Sequence, residues 1–222
     1  VNGGDDRVGI GTNSPAEALE VSTTADADYG IKVANDDTQA FVKVQSGGTA
    51  LYGGNTSVNF VSGGSFATAM IIDANGQITK PLQPAFHVIN GADNGNIATN
   101  NTEITVNFST ESFDVNSDFN TTNFTFTAPV TGKYQFNVSL SVSQIDTAAT
   151  QYIIRLNTSN RNYHLAIDPE FGADTLFPFS ISALADMDAS DTAIVTIAQN
   201  GGTAQTDVRA DPGSHFSGFL AC

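Results

Sequence analysis

The chain has 222 residues, room for one ordinary domain plus a smaller module, and its 40% apolar content is enough for a packed core. Eight basic residues against 23 acidic ones leave a formal charge of −15, a field that repels phosphate backbones and argues against nucleic acid as a partner. No stretch approaches the roughly 18 uncharged apolar residues of a membrane helix, so no membrane insertion is expected.

The first residue is Val1 rather than Met, and the sequence is expected to continue a longer chain upstream. Only Pro15 to Leu19 (PAEAL), after Asn13 and Ser14 as candidate caps, has helix-forming composition, and it spans barely one turn. Elsewhere Val, Ile, Thr, Phe and Tyr alternate with Gly and Asn, the composition of strands and turns, so the expected fold class is all-β. Residues 1–80 hold 12 of the 20 glycines and only short apolar runs: Phe41 to Val44, Leu51-Tyr52, Val58 to Val61 and Met70 to Ile72. Such runs cannot bury a core within one chain. A Gly-rich, intertwined trimeric β stem, in which chains complete one another's core, accounts for them. Asp73 to Gly76 (DANG) predicts a tight turn in which Asn75 and Gly76 supply positive φ.

Lys80-Pro81-Leu82-Gln83-Pro84 reads as a stiff extended connector, with residues 81–84 as the hinge. From Ala85 to Cys222 the strands lengthen. Tyr134, Phe136, Val138, Leu140 and Val142 alternate strictly with polar residues, which places every apolar side chain on one face. Ile104 to Phe108, Tyr152 to Leu156, Phe177 to Ile181, Val195 to Ile197 and Phe216 to Leu220 repeat the period. About eight such strands predict a β-sandwich of jelly-roll type.

Two stretches resemble known families. Val8 to Pro15 (VGIGTNSP), followed by Leu19 and Val21, resembles a signature of phage tail-fibre and other fibrous surface proteins, and Met70 to Ile78 (MIIDANGQI) resembles its companion strand-turn-strand. Residues from about 84 to 222 resemble the globular head of complement component C1q, a trimeric jelly roll related to tumour necrosis factor. The matching strings are Pro84-Ala85-Phe86, then Phe113-Asp114 with Phe124 to Phe136 (FTFTAPVTGKYQF), and finally Phe216 to Leu220 (FSGFL). Ser190-Asp191 stands where that family usually has Gly-Asp. The resemblance implies a homotrimer with aromatic strands packed at the threefold axis, and binding rather than catalysis. Tyr134, Phe136, Phe216 and Phe219 are accordingly the expected core or trimer-packing residues.

No catalytic constellation stands out. Of the three histidines, His87, His164 and His215, the first and last lie in strand-like segments without an acidic neighbour in sequence, and no nucleophile elbow, zinc-protease motif or phosphate loop occurs. Asp186, Asp188 and Asp191 have the look of a calcium-loop fragment. They lack the glycine and the closing glutamate of an EF-hand, so no metal or other cofactor is assigned. Asn55, Asn107, Asn120, Asn123, Asn137 and Asn157 head N-x-S/T strings, which alternating polar strand faces generate by themselves. Cys222 has no partner for an intrachain disulfide. The expected contact loop is Asn157 to His164 (NTSNRNYH), in which Arg161, Tyr163 and His164 offer a cation, an aromatic plane and a ring donor.

The leading reading is a non-enzymatic virion fibre, a phage tail fibre whose head attaches to a host-surface glycan or protein. Its partners are then itself and other virion proteins joined through upstream sequence. A capsid fibre or decoration protein with the head as trimerisation cap, and a secreted bacterial adhesin, are the rival readings.

Overall fold

The computed structural model of the chain describes residues 8–10, 19–21, 31–34, 39–45, 49–54, 57–62, 67–170 and 176–222. Contacts divide the chain into two units, Val1–Pro81 and Leu82–Cys222.

In the first unit β1 (Val8–Ile10) pairs in parallel with β2 (Leu19–Val21). An antiparallel three-stranded sheet follows, made of β3 (Ile31–Ala34), β4 (Gln39–Gln45) and β5 (Thr49–Gly54). A second comprises β6 (Ser57–Ser62), β7 (Ala67–Asp73) and β8 (Ile78–Thr79). The backbones of the short apolar runs thus find partners within the chain, each strand pairing with a neighbour in sequence. Pairing does not cover every apolar side chain there: Phe60, Val61 and Ile78 are 49%, 48% and 62% exposed. Most of PAEAL lies outside the described residues, and its last residue, Leu19, opens β2. The turn between β7 and β8 also differs in detail from its sequence reading. Gly76 takes the left-handed region (φ 79°) without Asn75, because Asp73 Oδ1 accepts from the backbone N–H groups of Asn75 and Gln77, both at 2.8 Å, and holds the turn from inside.

The second unit is a two-sheet sandwich. Its strands are β9 (Ala85–Ile89), β10 (Ile104–Thr105), β11 (Thr110–Asp114), β12 (Phe119–Asn120), β13 (Thr125–Thr127), β14 (Gly132–Ser143), β15 (Ala149–Thr158), β16 (Asn162–Ile167), β17 (Phe177–Met187), β18 (Thr192–Gly201), β19 (Asp207–Val208) and β20 (His215–Leu220). One sheet runs β11-β9-β20-β14-β17 with β19 beside β14; the other runs β12-β13-β18-β15-β16 with β10 beside β18. The first and last strands of the unit, β9 and β20, are neighbours.

The long strand β14 sets the register. Gly132 to Val142 pair with Met187 to Phe177 on one side, and Tyr134 to Ser139 with Leu220 to His215 on the other. Its alternation puts Tyr134, Phe136, Val138, Leu140 and Val142 between the sheets, where each is at most 2% exposed. Phe136 meets Phe86, Phe126 and Phe216 there, with ring centroids 6.4, 5.6 and 5.7 Å away. The Tyr134 hydroxyl donates to the Val130 carbonyl at 2.8 Å, so this buried ring carries no orphaned polar atom. Gly218 is required by this packing: a Cβ there would sit 2.6 Å from Phe136 Cδ1 and 2.8 Å from Phe86 Cε1.

Tyr134, Phe136 and Phe216 are thus enclosed by their own chain, each 0% exposed, and are core residues rather than contacts at an axis. Phe219 differs. The period of β20 turns it to the outer side of the sheet, where it is 45% exposed.

Candidate functional site

Two surfaces of the sandwich carry the sequence-predicted functional residues or their neighbours. The first is the hairpin between β15 and β16. The expected loop of eight residues is mostly strand: Asn157 pairs with Asn162, Leu156 with Tyr163 and Arg155 with His164, which leaves Ser159 to Arg161 as the tip. Cross-strand pairing therefore separates the three candidates. Tyr163 lies opposite buried Leu156 and packs against the core. His164 lies opposite Arg155 on the outer face and is exposed.

Arg161 sits at the tip, with its Nε and Nη2 donating to the two Asp186 carboxylate oxygens at 3.1 and 3.3 Å. That hydrogen bond and the charge beside it hold the Asp186 carboxyl below its usual range and push the Arg161 guanidinium up. Both side chains are largely open to water, 63% and 41% exposed, so the pair contributes little to stability. Asn160 Nδ2 also donates, to the Asp186 carbonyl at 3.0 Å and to Asp191 Oδ2 at 2.8 Å, tying the hairpin tip to the β17–β18 turn. Asp186 and Asp191 are thus occupied by Arg161 and Asn160. Among the described residues no group of three or more His, Cys, Asp or Glu is placed to hold a metal ion. In the same turn Ser190 takes φ 79°, the left-handed conformation for which glycine is the natural residue.

Beside His164, on the outer face of the second sheet, lies a polar network that sequence reasoning missed. Glu103 pairs with Arg155 Nη1 at 3.1 Å and accepts from the Thr196 hydroxyl at 2.7 Å and from Asn157 Nδ2 at 3.2 Å. The Thr196 hydrogen bond is the main reason the Glu103 carboxyl lies below its ordinary range. Strand parity carried a signal for part of it: Arg155 falls between inward Ile154 and Leu156 and must point out. The arrival of Glu103, 52 positions earlier, had no local signal.

The second surface is the outer face of the β11-β9-β20-β14-β17 sheet. Register places Phe113, His87, Ser217, Asn137 and Ser182 in one row across it. Ile89, His215, Ser139 and Ser180 form a second row, and Ala85, Phe219, Gln135 and Leu184 a third. Phe113, Phe219 and Leu184 are 53%, 45% and 56% exposed, a concentration of large apolar side chains on one face of a single sandwich. Between them the face is neutral and hydrogen-bonded. Gln135 Nε2 donates to Ser182 Oγ at 2.8 Å, Ser182 Oγ to Asn137 Oδ1 at 2.9 Å, and a groove of about 390 Å³ runs past Ser139, Ser180 and His215. The His87 and His215 rings stack with centroids 5.3 Å apart and planes 24° apart, and Phe113 stacks on His87 from the other side at 6.1 Å. Burial, and then His215 beside it, pushes the His87 imidazole below its ordinary range.

This arrangement, two antiparallel sheets closed over an aromatic core with the first and last strands adjacent, is a jelly-roll sandwich of the kind that carries binding surfaces rather than a catalytic cleft. The chain belongs to the C1q domain family, whose signature matches residues 85–221. C1q domains are typically non-enzymatic, form homotrimers and bind receptors or ligands. Among solved structures, the sandwich is similar to the globular domain of zebrafish complement 1qA protein (19% identity, 63% of this chain and 98% of that one, TM-score 0.44). It is also similar to murine APRIL at pH 8.5 (12% identity, 62% and 98%, TM-score 0.43). No curated protein matches the chain.

Proposed function

We propose that the chain is the stem and head of a homotrimeric, non-enzymatic virion fibre, a phage tail fibre whose head attaches to a glycan or protein on the host surface. The observation that carries this reading is the conjunction, in one chain, of the stem string VGIGTNSP with a C1q-domain head. A head of this family needs a partner for its apolar outer face. Phe113, Phe219 and Leu184 on that face suit packing against two further copies, and the exposed stem residues Phe60, Val61 and Ile78 suit the same assembly.

With one sheet face used for assembly, the hairpin tip and the outer face of the other sheet are left for the host. Arg161, His164 and the Glu103–Arg155 network supply cations and hydrogen-bonding groups there, the chemistry that sugar hydroxyls and acidic surfaces require. The reading is tested by immuno-electron microscopy with antibodies raised against the sandwich. Labelling of tail fibres supports it; labelling confined to the capsid or to a bacterial surface replaces it. In the same system Arg161→Ala leaves melting unchanged and lowers adsorption about 10–100-fold, the worth of one hydrogen bond to a charged group. Adsorption equal to the parent removes Arg161 from the contact.

A further inference from the structure

We propose that the stacked pair His87–His215 makes the head's self-association acid-sensitive: packing of copies through the β11-β9-β20-β14-β17 face holds while both imidazoles are neutral and releases when they gain protons. This rests on the homotrimer reading above. The geometry supports it in three ways. The two rings lie on the outer face of neighbouring strands, at the middle of the sheet, stacked at 5.3 Å, so a copy packed across the rows of that face covers them.

The closeness of the two rings, with centroids 5.3 Å apart, also disfavours charging both. The Pro212 carbonyl, 3.1 Å from His215 Nδ1, can only accept, so that nitrogen carries the N–H, and His87 Nδ1 lies 3.0 Å from Ser112 Oγ. Two imidazolium rings at this spacing repel each other, and sealing them under an apolar partner removes the water that would stabilise their charges.

Among the described residues nothing facing the pair supplies a counter-charge. β11 presents Ser112 and Phe113, β20 presents Ser217 and Phe219, and β14 presents Asn137 and Ser139. The nearby carboxylates are turned elsewhere. Glu111 and Asp114 pair with Val88 and Phe86, the core-facing positions of β9, and Asp211 Oδ1 accepts from Gly213 N–H in its own loop. His164 lies on the other sheet.

The sign follows from linkage. A copy seated over the rings takes away the water that would stabilise their charge, so packed copies bind protons less readily than dispersed ones. Since burial and His215 already hold His87 below its ordinary value in the single chain, association is full at neutral pH and is lost as pH falls below the ordinary imidazole range. One excluded proton per chain gives three per trimer, so once the dispersed chains carry those protons the association constant falls about a thousandfold per pH unit. Charge repulsion among acidic chains predicts the opposite, since carboxylate protonation near pH 4 relieves it.

The experiment is sedimentation velocity of the full chain at low micromolar concentration, at pH 7.5, 6.5 and 5.5, with and without EDTA, with circular dichroism to monitor folding. The parent is expected to pass from three chains to one between pH 7.5 and 5.5 while staying folded. His87→Gln/His215→Gln is expected to hold three chains throughout, and His164→Gln to behave as the parent. If the double variant does not fold, His215→Gln alone decides in the same way. Three parent chains at pH 5.5, a double variant that dissociates like the parent, or dissociation by EDTA at pH 7.5 (a metal clasp) each overturns the inference and leaves the trimer standing. A parent of one chain at pH 7.5 overturns the homotrimer reading itself, and the inference falls with it.

Discussion

Phe136→Ala probes the core that β14 organises. The ring is 0% exposed and lies among Phe86, Phe126, Tyr134 and Phe216, with centroids between 5.6 and 6.4 Å away. Truncating a buried Phe removes its transfer free energy and leaves a cavity, about 3–5 kcal/mol per chain, a large fraction of the roughly 5–15 kcal/mol that holds a domain folded. For a sandwich of this size that lowers the melting temperature by about 10–15 °C. The environment also predicts a coupling. A Cβ at Gly218 would stand 2.6 Å from Phe136 Cδ1, so Gly218→Ala alone overpacks the core at a cost of about 1–3 kcal/mol. Once the Phe136 ring is gone that clash disappears, although the contact with Phe86 Cε1 at 2.8 Å persists. The double variant should therefore lose less than the sum of the two single losses. Thermal melts of the four proteins by circular dichroism at pH 7.5 close the cycle. A Phe136→Ala melt within about 2 °C of the parent, or strict additivity with Gly218→Ala, would show that the inward facing of β14 is wrong.

Ser190→Gly should raise the melting temperature by a few degrees, since the left-handed conformation of Ser190 (φ 79°) costs a side chain about 1 kcal/mol that glycine does not incur; a lowered melt contradicts this. Glu103, whose carboxyl is held below its usual range by Thr196, Asn157 and Arg155, contributes stability that is present above the ordinary carboxylate range and lost as pH falls through the depressed value. Glu103→Gln should accordingly flatten the fall in melting temperature between about pH 5 and pH 3, and an unchanged acid profile counts against the network.

Much of the sandwich was legible because period two is unambiguous where one face is buried. Tyr134 to Val142 announced both the strand and its core side, and Phe216 followed from the same alternation. The extent of the expected contact loop was misjudged for a physical reason. Polar residues such as Asn157 and Asn162 read as loop by composition, yet an outer sheet face is polar too, and the pairing of Asn157 with Asn162 continues the ladder to the tip. In the turn after β7, Asn-Gly suggested two positive φ angles, but the Asp73 side chain captured the backbone N–H groups first. The outer-face rows of the first sheet could not be read at all, because they depend on the registers of five strands that are scattered along the chain. His87 and His215 are 128 positions apart, and only the adjacency of the first and last strands makes them neighbours.

The central claim, that copies of this chain pack through the face carrying Phe113, Phe219 and Leu184, is tested most directly by the mass of the assembly in solution for the parent and for Phe219→Asp. Phe219 is 45% exposed and lies outside the core, so an aspartate there leaves the single-chain fold intact and places an unpaired charge in the contact. The account predicts a parent mass of three times 23.2 kDa at pH 7.5 and a folded Phe219→Asp chain of 23.2 kDa. A parent that sediments as one chain, or a Phe219→Asp protein that remains three chains with the parent's stability, contradicts it.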